Sequence, residues 1–167
     1  MRRWVPWALG GLGALWLLTQ GYSYGGAPVR SGVDRDPKKL LPAFAKKVDK
    51  LFAAMRARGF QPMLWEGYRT PARAAELEKT GAGVSDSMHS YGAAVDVVDG
   101  KLWAQGLDPW KTTAAFWKAL GEEAERLGLT WGGRFTRADT PHVQAVSIAK
   151  QNALRSATPA ERQQMVA

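Results

Sequence analysis

The sequence contains no cysteine, and only two histidines stand among its 167 residues. The missing thiols exclude a disulfide framework, thiolate zinc sites, thiol catalysis and lipid attachment through cysteine. They leave the compartment open, because small exported proteins also fold without disulfides. Dense charge runs are absent as well. The formal net charge is +8, a balance that favours anionic partners such as nucleic acid, acidic lipid or anionic polymers. The lysines and arginines are scattered, however, without the basic-aromatic module of a nucleic-acid binder. They read as a solvated basic surface, and no nucleic-acid partner is expected. No internal repeat and no phosphate-binding loop occur, and no organic cofactor is implied.

Hydrophobic residues make up 46% of the chain and charged residues 23%, which excludes a disordered or fibrous chain and suits one compact, monomeric domain with a real core. The N-terminus reads differently. Met1-Arg2-Arg3 precedes a largely apolar run from Trp4 to Leu18 and a glycine- and tyrosine-rich stretch to Ala27. Two arginines before about fifteen apolar residues match the first two regions of an export signal. The run falls short of the ~20 residues of a membrane-spanning helix. Counting on to Tyr24 extends it into the interface, where Trp4, Trp7, Tyr22 and Tyr24 can anchor it. Gly25-Gly26-Ala27 offers a cleavage site that Pro28 hinders, which tilts the reading towards a retained anchor. Residues 1–27 are therefore expected to be a signal peptide or membrane anchor of an exported, periplasmic or envelope protein, and residues 28–36 a polar linker.

The body, 37–146, is expected to be α+β, with a small antiparallel sheet packed by helices. Asp36-Pro37 looks like an N-cap with proline at the first helical position. Leu41, Phe44, Val48, Leu51, Phe52 and Met55 follow at helical spacing, up to a stop at Gly59. Pro62 to Gly67 reads as a short strand, and Thr70-Pro71 as the start of a second helix ending near Gly81. A glycine- and serine-rich loop over 81–92 leads into a strand from Ala93 to Val98. Asp108-Pro109 is expected to cap a third helix carrying Trp110, Ala114, Trp117, Leu120, Ala124 and Leu127 on one face. A last strand is expected at His142 to Val146. Residues 147–167 form a helical tail, with Thr158-Pro159-Ala160-Glu161 as its capping box.

Both histidines sit beside carboxylates. One lies in Ser87-Met88-His89-Ser90-Tyr91-Gly92-Ala93-Ala94-Val95-Asp96, the other in Asp139-Thr140-Pro141-His142-Val143-Gln144. A catalytic zinc takes three protein ligands, commonly imidazole and carboxylate, and keeps a fourth position open. His89, Asp96 and His142 supply that set for one Zn2+ ion. Ala94, Asp96 and Val98 share one face of their strand. If the last strand pairs with it, His142, Gln144 and Val146 present the same face, and His142 meets Asp96. Asp139 then stands at the strand entrance. An aspartate between valines is costly to bury without a partner, so Asp96 needs one.

Ser87-x-His89-x-x-Gly92-x-Ala94-x-Asp96 followed by Asp139-x-x-His142 resembles the signature of the LAS zinc metallopeptidases. That family includes D-alanyl-D-alanine carboxypeptidases and dipeptidases and L-alanyl-D-glutamate endopeptidases, all acting on peptidoglycan peptides. The resemblance covers about residues 40–146, including Glu66-Gly67-Tyr68-Arg69-Thr70 and Leu127-Gly128-Leu129-Thr130-Trp131-Gly132-Gly133. The Trp-Gly-Gly element and the short body look most like the L-alanyl-D-glutamate branch of endolysins and autolysins. The resemblance implies that His89, Asp96 and His142 bind zinc, that Asp139 is the catalytic base and that Arg69 contacts substrate or transition state. Two positions depart from the pattern: Ala74 replaces a frequent glutamine and Arg134 a frequent aspartate, which bears on substrate preference and not on the metal set.

Blander roles compete at several positions. Arg69 could pair at a helix start, and Trp131 and Tyr91 could be packing residues. Ser87 could orient the loop or bind substrate. Glu66 is a rival base, and Asp86 and Asp99 are rival ligands. The leading expectation is zinc-dependent hydrolysis of peptidoglycan stem peptides at the L-alanyl-D-glutamate bond. D-alanyl-D-alanine carboxypeptidase activity is the alternative within the enzyme class. A non-catalytic, zinc-stabilised wall-binding module and a membrane-tethered structural protein are the alternatives outside it.

Overall fold

The computed structural model describes residues 32–167. The apolar N-terminal segment read as a signal or anchor lies outside the described residues. Among those described, no helix is long and apolar enough to cross a membrane.

The fold is α+β. Helix α1, Pro42–Ala57, buries Phe44, Val48, Leu51, Phe52 and Met55, the stripe its spacing predicts. Its start is a correction. Asp36 accepts from the Lys38 amide but caps only a single 3-10 turn, Pro37–Lys39. The chain then extends through Leu40 and Leu41, which buries Leu40 and lets the Leu41 amide donate to the Gly92 carbonyl at 2.9 Å. The helix begins one proline later. Upstream, Val33 is buried, and Arg35 donates to the Trp65 carbonyl while its guanidinium lies 4.8 Å from the Trp65 ring centroid, so residues 33–36 dock on the body.

Strand β1, Pro62–Glu66, and helix α2, Pro71–Lys79, fall where expected, with the Thr70 side chain accepting from the Arg73 amide. Strand β2 is Ala94–Asp99. A short helix α3, Gly100–Ala104, follows at once, capped by Asp99. The third long helix is the second correction. Helix α4 spans Ala114–Arg126 and is capped by Thr113, not by Asp108. Asp108 accepts from the Trp110 amide in a turn, and the Trp110 ring packs edge-on against Trp65 at 5.3 Å. That docking, with Thr112 donating to Asp99 at 2.7 Å, holds the chain out of helix until Thr113.

Strands β3, Thr130–Trp131, and β4, His142–Gln144, complete a four-stranded antiparallel sheet in the order β1-β2-β4-β3. Helix α1, helix α4 and the inner face of the sheet share one core, which includes Leu64, Val95, Val97, Phe116, Leu120 and Val143. The tail adds helix α5, Gln151–Ser156, and helix α6, Pro159–Val166, the latter with the expected capping box. Leu154 and Val166 are buried in the same core, so the tail is rooted in it.

Candidate metal centre

One rung of the sheet gathers the polar residues. Glu66 pairs with Asp96 across β1 and β2, and Asp96 pairs with His142 across β2 and β4. The third residue comes from the 81–92 loop, where Ser87 caps a 3-10 turn, Met88–Tyr91, by accepting from the His89 amide. Ser87 thus orients the loop. Gly92 ends the turn at φ +64, and a Cβ there would sit 2.5 Å from the Lys39 carbonyl oxygen. The loop can lie against the start of α1 only with glycine at that point.

His89 Nε2 lies 3.3 Å from Asp96 Oδ1 and 3.3 Å from His142 Nδ1, and His142 Nδ1 lies 3.4 Å from Asp96 Oδ1. A tetrahedral ion with bonds of ~2.0–2.1 Å separates its donors by roughly 3.3 Å, so this triangle fits one face of such a site. The donor chemistry fits as well. His89 Nδ1 donates to the Gly67 carbonyl at 2.7 Å, and His142 Nε2 faces the Gln144 side-chain oxygen at 3.2 Å. Each ring thereby holds one proton on the outside and presents its other nitrogen inward, towards the Asp96 carboxylate. Among the described residues these three form the group that could hold a metal ion.

The electrostatics follow from the same contacts. Burial pushes the Asp96 carboxyl up, but the charges and hydrogen bonds of His89 and His142 outweigh it and hold the group far below the ordinary carboxylate range. Burial likewise pulls His142 down, and the bond and charge of Asp96, with help from Asp139, more than offset it. Asp139 runs the other way: desolvation by the cleft walls and the nearby Asp96 charge raise its pKa, although much of the residue is open to solvent.

These groups floor a cleft of about 570 Å³, which Arg69 and Asp139 also line. Arg69 is almost fully buried. Its Nη2 pairs with Glu66 at 2.5 Å and reaches Asp96 at 3.4 Å, so it stands beside the triad. Glu66, the rival base, is consumed by that pair and by Arg73 at 3.6 Å. The rival ligands are also engaged elsewhere. Asp86 pairs with Arg155 and accepts from the Tyr91 hydroxyl, each at 2.7 Å, and Asp99 caps α3.

The Trp-Gly-Gly element is a scaffold. The Trp131 indole lies against Gly121 of α4 and Gly133, and donates to the Thr140 carbonyl at 2.7 Å. Gly132 accepts from the Asp139 amide at 2.9 Å, with no room for a side chain between them. Arg134 turns to Glu125 at 2.9 Å, and Ala74 is fully buried. The cleft wall also includes Phe135, Arg137, Gln151 and Arg155, which the sequence reading missed. Arg137 has no motif to betray it, and Gln151 and Arg155 lie in the tail, far along the chain from both histidine motifs.

The model of a family described as D-alanyl-D-alanine carboxypeptidase matches residues 80–145, which contain all three members of the triad and Asp139. The peptidoglycan L-alanyl-D-glutamate endopeptidase CwlK of Bacillus subtilis (strain 168) is 30% identical over 126 residues, covering 66% of this chain and 75% of that protein. Among solved structures, the LdcB LD-carboxypeptidase shares the fold at 17% identity and a TM-score of 0.51, over 84% of this chain and 76% of its own. The L-Ala D-Glu endopeptidase ChiX of Serratia marcescens matches at 24% identity and a TM-score of 0.48, over 65% of this chain and 84% of its own.

Proposed function

As the chain belongs to the LAS zinc metallopeptidases and is a peptidase, we propose that it cleaves peptidoglycan stem peptides at the L-alanyl-D-glutamate bond with one zinc ion held by His89, Asp96 and His142. The observation that carries this reading is the inward-facing donor triangle with a raised-pKa carboxylate, Asp139, on the same cleft. The choice of bond leans on the Bacillus relative.

When bound, the ion supplies Lewis acidity, which polarises the scissile carbonyl and acidifies water. The rest falls to the chain. Asp139 accepts one proton from the attacking water as the water oxygen bonds to the carbonyl carbon. It then delivers that proton to the leaving nitrogen as the C–N bond breaks, giving an amine and a carboxylic acid that releases the second water proton to solvent as it ionises. Its raised pKa suits both roles. Arg69, fixed by Glu66, holds a positive charge at the cleft floor, where negative charge on the substrate carboxylate or the developing oxyanion is stabilised. The peptidase domain spans 37–146, with 147–167 as its helical tail. Residues 1–27 export the protein or anchor it at the envelope, 28–36 join them to the body, on which 33–36 dock, and the enzyme acts as a monomer.

Digestion of purified peptidoglycan, followed by mass spectrometry of the products with and without a chelator, tests this reading. Newly exposed D-glutamate amino termini that vanish with the chelator are expected. Free D-alanine instead would move the activity to the carboxypeptidase side, the description carried by the matching family model. Wall binding without any cleavage would make the domain a binding module.

A further inference from the structure

The proposed mechanism leaves one buried polar chain unused. Gln144 is 1% exposed, and its amide has one workable orientation. Nε2 donates to the Val146 carbonyl at 2.6 Å. The reverse orientation would set two oxygens against each other at that distance. Oε1 therefore points the other way, where it receives Gln151 Nε2 at 3.0 Å and faces His142 Nε2 at 3.2 Å. Both lone pairs of the oxygen are then taken.

Gln151 is itself held. Arg155 donates to its side-chain oxygen at 3.4 Å, and the same guanidinium pairs with the Asp86 carboxylate at 2.7 Å and the Asp86 carbonyl at 2.9 Å. Leu154, between them on α5, is fully buried. The order of contacts thus runs from the loop that carries His89, through α5, to β4 and the back of the His142 ring.

An acceptor fixed behind Nε2 keeps the ring proton there and presents Nδ1 to the metal. His89 is held in the opposite sense, with its proton on Nδ1 facing Gly67 and Nε2 turned inward. We infer that Gln144 and Gln151 are positioning residues that select Nδ1 of His142 as its metal-binding atom, which makes helix α5 part of the metal centre and not an appendage to it. The inference rests on His142 being a zinc ligand.

The test uses the full chain loaded with zinc, and two variants. Gln144→Met keeps the shape without the amide acceptor, and Gln151→Leu leaves β4 intact. Zinc affinity is measured by competition with a chelating dye, and the histidine protons by long-range proton–nitrogen spectra. In the unaltered protein one histidine should carry a slowly exchanging proton on Nε2 and the other on Nδ1. Outer partners of metal-bound histidines typically contribute ~10- to 100-fold in affinity. Gln144→Met should lose affinity in that range and exchange its Nε2 proton faster. Gln151→Leu should lose about tenfold. Gln144→Met and Gln151→Leu with unchanged affinity and proton exchange would overturn the inference alone. If Gln144→Met does not fold, Gln151→Leu decides it. An unaltered protein that binds no zinc would instead remove the metal reading beneath it.

Discussion

Asp96 and His142 stand opposite one another in the antiparallel register of β2 and β4, and Oδ1 of the first lies 3.4 Å from Nδ1 of the second. Two of three candidate donors therefore come from one rigid ladder, and a glycine-ended turn brings the third. Three ligands are the minimum for a catalytic zinc site. His89→Ala, Asp96→Ala and His142→Ala should each lower zinc content and hydrolysis together. Elemental analysis of the purified proteins checks this, and full zinc occupancy in His142→Ala would end the assignment.

That pairing was readable in the sequence because a strand's alternation is strict. Placing Asp96 and His142 on adjacent strands puts them on one face, and a lone aspartate between valines needs a partner there. The starts of two helices were not readable. Asp36-Pro37 and Asp108-Pro109 both carry sound capping chemistry, yet each caps only a turn, because Leu41 must reach Gly92 and Trp110 must dock on Trp65. Tertiary contacts overrode local propensity at both. Strand β3 is two residues long, too short for any period. Gln144 was placed on the correct face by the same alternation, but its partner Gln151 belongs to a helix without an apolar stripe to announce it.

Gly132 should prove as demanding as a ligand. A Cβ at this position would lie 2.4 Å from the Asp139 carbonyl oxygen and 3.0 Å from His142 Cβ. Both neighbours belong to the segment that sets the site, so relief of the clash must move it. Gly132→Ala should lower stability by about 1–3 kcal/mol, the usual range for forcing atoms into packed space, and weaken zinc binding as well. Urea unfolding and zinc competition on the same preparation give the check. Unchanged zinc affinity would show that the segment relaxes without disturbing His142.

Glu66 should matter to stability and not to proton transfer. It is 3% exposed, and its carboxylate meets Arg69 at 2.5 Å and Arg73 at 3.6 Å. Removing one member of a buried pair strands the other charge, at a cost of about 3–5 kcal/mol. Glu66→Ala should show a loss of that order in urea unfolding. Replacing both members, as Glu66→Leu with Arg69→Met, should restore part of the loss, because Arg73 keeps Glu76 and Asp96 keeps both histidines as partners. A Glu66→Ala protein as stable as the unaltered one would mean that Asp96 and solvent suffice to hold Arg69.

Asp139 separates an enzyme from a binding module. It stands three residues before His142, on a segment pinned by its own amide to the Gly132 carbonyl and by Trp131 to the Thr140 carbonyl. It lines the cleft with the triad but does not belong to the group that can share an ion. Desolvation and the Asp96 charge raise its pKa, which strengthens it as a base wherever it is ionised. Since the raised pKa marks the pH below which the base is protonated, activity should fall as pH drops through it. Asp139→Asn keeps the shape and cannot accept a proton. It should fold, hold zinc and still bind peptidoglycan, while hydrolysis falls by ~10²- to 10⁴-fold, the usual contribution of a positioned acid-base group. Asp139→Ala should behave alike. Metal content and turnover measured together decide the matter. Near-normal turnover with zinc bound would remove Asp139 from the chemistry, and loss of the ion would make it a ligand.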